Sequence, residues 1–104
     1  MGDKNEVVNE FKLDQNYPNP FNPSTLINYQ IPKIGKVKIT IYNTLGNVIK
    51  TIVNSNRAPG SYSVLWDGTN NLDQKVSSGI YFYKLTFANK SNSWYKTHKM
   101  ILLK

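Results

Sequence analysis

The sequence predicts an all-β fold, a single domain of about seven antiparallel strands packed as a two-sheet sandwich. Three observations predict it. Apolar and polar residues alternate at period two in several separate stretches, the spacing of a half-buried strand. Clusters of Gly, Pro, Asn and Ser fall between those stretches, as turns do. No stretch sustains a helical period. A chain of 104 residues fits one domain, and folding at that size buries roughly 60–70% of the unfolded surface, enough for one modest core.

Taken in order, residues 1–10 are charged and Asn-rich, with only Val7-Val8 apolar, and read as a linker. Phe11-Lys12-Leu13 reads as a short edge strand. Asn16-Tyr17-Pro18-Asn19-Pro20-Phe21-Asn22-Pro23-Ser24 follows, and its three prolines exclude both a helix and a central strand. It should be a stiff, irregular lead-in, with Tyr17 and Phe21 packing on the body. Thr25–Ile31 alternates, with Ile27, Tyr29 and Ile31 inward and Asn28 and Gln30 outward. Pro32-Lys33-Ile34-Gly35 is turn material. Lys36–Tyr42 places Val37, Ile39 and Ile41 inward, and Lys36, Lys38 and Thr40 outward.

After a turn at Asn43–Asn47, Val48–Val53 carries apolar residues at both parities, so period two does not select its inward face. Asn54–Pro59 reads as a polar loop, and Pro59-Gly60 as a turn. Ser61–Trp66 puts Tyr62, Val64 and Trp66 on one face, and Asp67–Lys75 is a longer connection. Ser77-Ser78-Gly79 then feeds the most aromatic run in the chain. There Tyr81, Tyr83, Leu85 and Phe87 share one face, with Ile80, Phe82 and Lys84 on the other. Lys84 marks its own face as the wet one, so the Tyr81 face points inward. A strand apolar on both faces belongs in the middle of a sheet. A turn at Ala88–Ser93 leads to the last strand, Trp94–Leu103, again apolar at both parities. Seven strands in about a hundred residues favour an immunoglobulin-like sandwich. With no cysteine to bridge two sheets, Trp66, Tyr81, Tyr83 and the aliphatic positions must supply the core.

Composition narrows the function classes. The absence of cysteine removes disulfides, thiolate metal sites and cysteine nucleophiles. The net charge of +7 invites an anionic partner, but the lysines are scattered and Arg57 is the single arginine. Lys36 and Lys38 read as sharing a face with Thr40 and no aromatic, a weak signal for nucleic acid. The charge therefore reads as a solvated surface, with attraction to an acidic polymer or to lipopolysaccharide as the alternative and with no nucleic-acid partner. No apolar run approaches the ~20 residues that span a bilayer as a helix. The start, MGDKNEVVNE, lacks a signal-peptide core, so an export signal would lie on a longer parent chain.

A reactive centre is hard to assemble from these residues. His98 is the one histidine and sits among Lys96, Thr97 and Lys99 in a strand, which suits packing better than base catalysis. The six carboxylates are too sparse for glycosidase chemistry. Asp67, Asn70 and Asp73 share one loop and form a candidate calcium site. Their spacing matches no helix-loop-helix pattern, and side-chain-to-backbone turns are the favoured reading. Tyr17, Trp94 and Tyr95 are candidates for a sugar platform, set against the commoner use of such rings as core. No cofactor is implied.

Five motifs in register carry a resemblance. They are Leu13–Thr25, LDQNYPNPFNPST; Ile39–Tyr42 with Gly46; Gly60–Gly68, GSYSVLWDG; Val76–Leu85, VSSGIYFYKL; and Lys99–Lys104, KMILLK. Together they resemble the type A C-terminal sorting domains of the type IX (Por) secretion system, over roughly residues 11–104. The middle is also similar to the immunoglobulin-like domain of the flagellar hook-capping protein. The resemblance implies a non-enzymatic sorting signal at the end of an exported protein of the Bacteroidetes or related phyla. On that reading residues 1–10 lead from the upstream cargo and 11–104 form the module. The implied partners are an outer-membrane translocon and a sortase-like cysteine protease. In many members that protease removes the domain, here within Val7–Glu10, and joins the cargo to lipopolysaccharide. The cargo passes through the periplasm to the outer membrane, cell surface or medium, and no oligomeric state is implied.

The resemblance also assigns roles. Recognition falls to Lys99, Met100, Ile101, Leu102, Leu103 and Lys104, where a partner could reach a strand edge and the chain end. A competing role for Met100, Leu102 and Leu103 is to complete the core. Structural roles fall to Tyr17, Pro18, Asn19, Pro20, Phe21 and Pro23; to Gly60, Tyr62, Trp66, Asp67 and Gly68; and to Ser78, Gly79 and Tyr81. Asn71-Leu72-Asp73-Gln74 departs from the family pattern, which commonly has a glycine there. The alternatives are an accessory carbohydrate-binding module, or a structural one, on a secreted enzyme.

Overall fold

Two antiparallel sheets with no helix make up the computed structural model, which describes residues 9–103. The strands are β1 (Lys12–Leu13), β2 (Thr25–Ile31), β3 (Gly35–Tyr42), β4 (Val48–Arg57), β5 (Gly60–Trp66), β6 (Gly79–Ala88) and β7 (Ser93–Leu102). One sheet has the order β1-β2-β5 and the other β4-β3-β6-β7. The fold is the immunoglobulin-like sandwich that the alternation predicts, and β6 is an inner strand of the larger sheet.

The inward set follows the period-two reading. Ile27, Tyr29 and Ile31 of β2, Val37, Ile39 and Ile41 of β3, and Tyr81, Tyr83, Leu85 and Phe87 of β6 are all buried. Met100 and Leu102 settle the inward parity of β7. Tyr62 and Val64 on β5 point the same way but are only half-buried, because β5 is an edge. Thr40 departs from expectation. Its parity is outward, yet it is buried, hemmed by the longer Lys38, Tyr42 and Lys84 on its own and the adjacent strand.

β4 explains its own ambiguity. The β3–β4 ladder slips between Ile39 and Thr40 and again between Ile41 and Tyr42. Ile52 and Ile49 are thereby left without a partner on β3. Each bulge adds one residue and resets the parity. Val53, Ile52 and Ile49 can then all turn toward the core despite their spacing. A correction follows for Asn54–Pro59. The polar stretch 54–57 is not loop, since β4 pairs with β3 through Arg57 and only Ala58-Pro59 turn the chain into β5. Arg57 is held over the Tyr62 ring, 5.4 Å from its centroid.

Close approach fixes one glycine. A Cβ on Gly35 would lie 2.5 Å from the Phe87 ring and 2.8 Å from the Ala88 carbonyl oxygen. The ring can shift a little, but the backbone of an inner strand cannot. Gly35→Ala is expected to cost about 1–3 kcal/mol, the usual range for overpacking. That is a fall in Tm of roughly 4–20 °C for a domain of this size, read by thermal melts.

Candidate recognition site

The lead-in segment does not lie loose against the body; it closes over one end of β7. The Phe21 N–H donates to the Ile101 carbonyl at 3.0 Å, and the Leu103 N–H donates to the Phe21 carbonyl at 2.9 Å. The Ile101 N–H donates to Asn19 Oδ1 at 3.0 Å, and Gln15 Nε2 donates to the Lys99 carbonyl at 2.7 Å. An edge strand exposes a row of such groups, and here Gln15, Asn19 and Phe21 satisfy them. This corrects the expectation that a partner could pair with the edge at Lys99–Leu103.

Tyr83 anchors the same segment from beneath. Its hydroxyl donates to the Asp14 carbonyl at 2.6 Å and accepts the Asn16 N–H at 2.8 Å. Asn16 is itself buried, and its side-chain amide donates to Thr25 Oγ1 and to the Pro18 carbonyl. Burial pushes the Tyr83 phenol well above its ordinary range, with the Asn16 N–H pulling weakly the other way. His98 completes the layer. Its Nε2 lies 2.7 Å from the Leu13 carbonyl, which fixes that nitrogen as the donor, and its ring sits beside Tyr83.

Several predicted structural residues converge at this end. Phe21 and Tyr81 pack on Trp66 with ring centroids 5.6 and 5.3 Å away. Trp66 Nε1 donates to the Thr69 carbonyl at 2.9 Å. Gly68 has a φ of +78°, and a Cβ there would lie 3.1 Å from the Pro23 carbonyl, so the position needs glycine on both counts. Gly79 pairs with Leu102, and the Tyr81 hydroxyl donates to the Ser77 carbonyl, pinning the turn that contains Ser78. Gly60 and Tyr62 lie at the other end of β5, where Tyr62 stacks on Tyr29.

The proposed calcium loop has turn geometry. Asp67 Oδ1 accepts the Thr69 N–H and hydroxyl, and Asn70 Oδ1 accepts the Leu72 and Gln74 N–H groups. The Thr69 hydroxyl is the main reason the Asp67 carboxyl is held below its ordinary range. Asp73 faces Lys50 Nζ at 3.0 Å instead of its loop mates. No three His, Asp or Glu side chains gather as metal ligands among the described residues. Asp73 takes a φ of +61°, the left-handed conformation that a glycine would take more cheaply.

The recognition residues divide. Met100 and Leu102 are core, so their side chains cannot be read in the folded domain. Leu103 is half-exposed, which corrects its proposed place in the core; Lys99 is exposed and Ile101 half-buried. Lys104 and residues 1–8, with most of the linker and part of the proposed cleavage segment, lie outside the described residues. Tyr17 corrects a second expectation, for it stands 79% exposed while Phe21 is buried. The Tyr17 backbone bridges to Leu26, and Leu26 pairs with Leu65 across β2 and β5. Cross-strand partners share a face, so Tyr17, Leu26 and Leu65 form an apolar row on the solvent side of the smaller sheet. Sequence reasoning missed Leu26 and Leu65. The available signal was an apolar residue at outward parity in both strands.

Residues 23–91 match the family described as the FlgD Ig-like domain. No curated protein matches the chain. Among solved structures, dimeric latent PorU from Porphyromonas gingivalis superposes with a TM-score of 0.73 at 18% identity. That match covers 92% of this chain and 10% of PorU. FlgD from P. aeruginosa superposes with a TM-score of 0.61 at 20% identity, over 75% of this chain and 61% of that one. At such identities the likeness is one of fold, and the chain spans less than two thirds of either protein.

Proposed function

The chain belongs to the FlgD Ig-like domain family, and from that premise we propose that it is a type A sorting domain of the type IX secretion system. It is a non-catalytic address carried by an exported cargo, with residues 11–104 as the module and 1–10 as the lead from the cargo. The single observation that carries this reading is the clasp between the lead-in and the last strand. The two motifs in question, YPNPF and KMILLK, stand far apart in the chain, yet Asn19 and Phe21 bond to Ile101 and Leu103. A folded tag inspected by a translocon needs such a composite surface, because a recogniser can then test whether the whole chain has folded. The fold likeness to part of PorU is in keeping with it.

The readable side chains are those left outside: Tyr17, Leu26 and Leu65 in the apolar row, with Lys99 and Leu103 at the tail. Exposed aromatic and aliphatic anchors of this kind supply most of the binding energy when a partner desolvates them. Release by a sortase-like cysteine protease within Val7–Glu10, and exchange for a lipopolysaccharide anchor, complete the proposal.

The test fuses residues 9–104 to a signal-peptide-bearing reporter in a type IX host. The fusion should carry the reporter to the cell surface. The triple variant Tyr17→Ser, Leu65→Ser, Leu103→Ser, changed only at exposed positions, should melt within a few degrees of the parent yet leave the reporter in the periplasm. Retention of the unchanged fusion would refute the address. Equal export of reporter with and without the module would make it a spacer.

A further inference from the structure

The strand register gathers lysines that are scattered in the sequence. On the solvent side of the larger sheet, Lys38 stands in a row with Thr86 and Tyr95; the next row is Thr40, Lys84 and Thr97, and the next Tyr42, Phe82 and Lys99. Lys36 extends the set by one row on β3. Strand geometry places Lys36, Lys38, Lys84 and Lys99 along a diagonal, with steps of roughly 7–8 Å. None of the four strands of this sheet contains an Asp or Glu. Tyr42 of β3 shares this face, which corrects the expectation that Lys36 and Lys38 have no aromatic beside them, and β6 and β7 add Phe82 and Tyr95.

Beside Lys84 the face is dished. Tyr42, Phe82 and Thr97 frame a shallow depression of about 400 Å³. Its lining includes the half-buried Tyr42 and Phe82 rings, Thr44, Thr97 and the Lys84 side chain, whose ammonium lies over the Tyr95 ring of the neighbouring row. A sugar ring presents an apolar face and a fringe of hydroxyls, and an acidic substituent would meet the lysine. We propose that this face binds an anionic glycan, a polysaccharide bearing carboxylate or phosphate groups, along the lysine diagonal. Nucleic acid fits less well. Base stacking needs free ring faces, and the one largely exposed ring here, Tyr95, already has the Lys84 ammonium 4.8 Å from its centroid. Tyr42 and Phe82 are half-sunk in the sheet. The inference rests on register, charge and the lining of the depression, and stands apart from the sorting role.

Binding is measured by calorimetry against polygalacturonate, a phosphorylated mannan, neutral dextran and an oligo-dT of matched charge. The domain should bind at least one of the two anionic glycans more tightly than dextran or oligo-dT. The variant Lys36→Gln, Lys38→Gln, Lys84→Gln should lose about tenfold in affinity or more at low salt. The variant Lys33→Gln, Lys75→Gln, Lys90→Gln has the same net charge but is changed at exposed lysines off this face, and should stay within about threefold. Tyr95→Ala, which removes the ring that holds the Lys84 ammonium in place, should weaken binding while leaving the melt unchanged. Equal losses in the two triple variants would show bulk charge and overturn the proposal. So would tighter binding of oligo-dT, or no binding of either anionic glycan.

Discussion

Trp66→Ala is expected to bring the domain to the edge of unfolding. The indole is fully buried and touches both Phe21 and Tyr81, so its loss opens a cavity where lead-in and sandwich meet. Truncations of this size cost about 3–5 kcal/mol. The Trp66 N–H also satisfies the carbonyl of Thr69, a buried residue, and an orphaned buried acceptor adds about 1–3 kcal/mol. The sum rivals the whole stability of a typical domain, about 5–15 kcal/mol. Urea unfolding should show the midpoint collapse, with near-ultraviolet circular dichroism reporting loss of fixed aromatic packing. Trp66→Phe weights the two terms differently, since it loses the whole hydrogen bond but opens a much smaller cavity; it should fall between parent and alanine variant. An unfolding free energy for Trp66→Ala within about 1 kcal/mol of the parent would mean that Phe21 does not depend on Trp66 for its seat.

How much of this could be read beforehand depended on where each residue finds its partner. β2 and β3 each have one dry and one wet face, and that asymmetry is written into alternate residues. β6 was legible for a different reason. A strand flanked on both sides carries apolar groups at both parities, and Lys84 alone was enough to tell the wet face. β4 was not legible, because Ile49 and Ile52 occupy bulges, and a bulge is a property of the pair of strands. The strand character of 54–57 was hidden for a related reason: its pairing is with Gly35–Lys38, and its own side chains are polar. The candidate site shows the same division. Its motifs stood in the chain in order, and Phe21 as an apolar anchor was foreseen. That Asn19 and Phe21 would occupy the edge of β7, leaving Tyr17 outside, depends on contacts between residues some eighty positions apart. The lysine diagonal is the extreme case, since no local window contains two strands of a sheet.

Tyr83→Phe should loosen the lead-in without disturbing the core, and the size of the effect should depend on pH in a defined direction. Removing the hydroxyl leaves the Asp14 carbonyl and the Asn16 N–H without their partner. At about 1–3 kcal/mol for each buried group left unpaired, two such groups cost roughly 2–6 kcal/mol near neutrality, and the part-buried Asp14 end puts the expected value in the lower half of that range. In the unfolded chain the phenol ionises near its ordinary value of about 10. In the folded domain burial holds it protonated to higher pH. Above that ordinary value the unfolded state therefore binds fewer protons than the folded one, and stability declines as pH rises. The contribution is whole below pH ~10 and is lost progressively toward the raised folded value. Phenylalanine has no proton to lose, so the stability gap between parent and Tyr83→Phe should narrow as pH rises above ~10, while the other tyrosines and the lysines affect both proteins alike. Hydrogen exchange provides the spatial check. Amides of Asn16, Phe21, Ile101 and Leu103 should lose protection in the variant, whereas those of β3 should keep theirs. A gap that stays constant over the alkaline range, or equal loss of protection in β3 and the lead-in, would mean that the hydroxyl is not what fastens the segment to the sandwich.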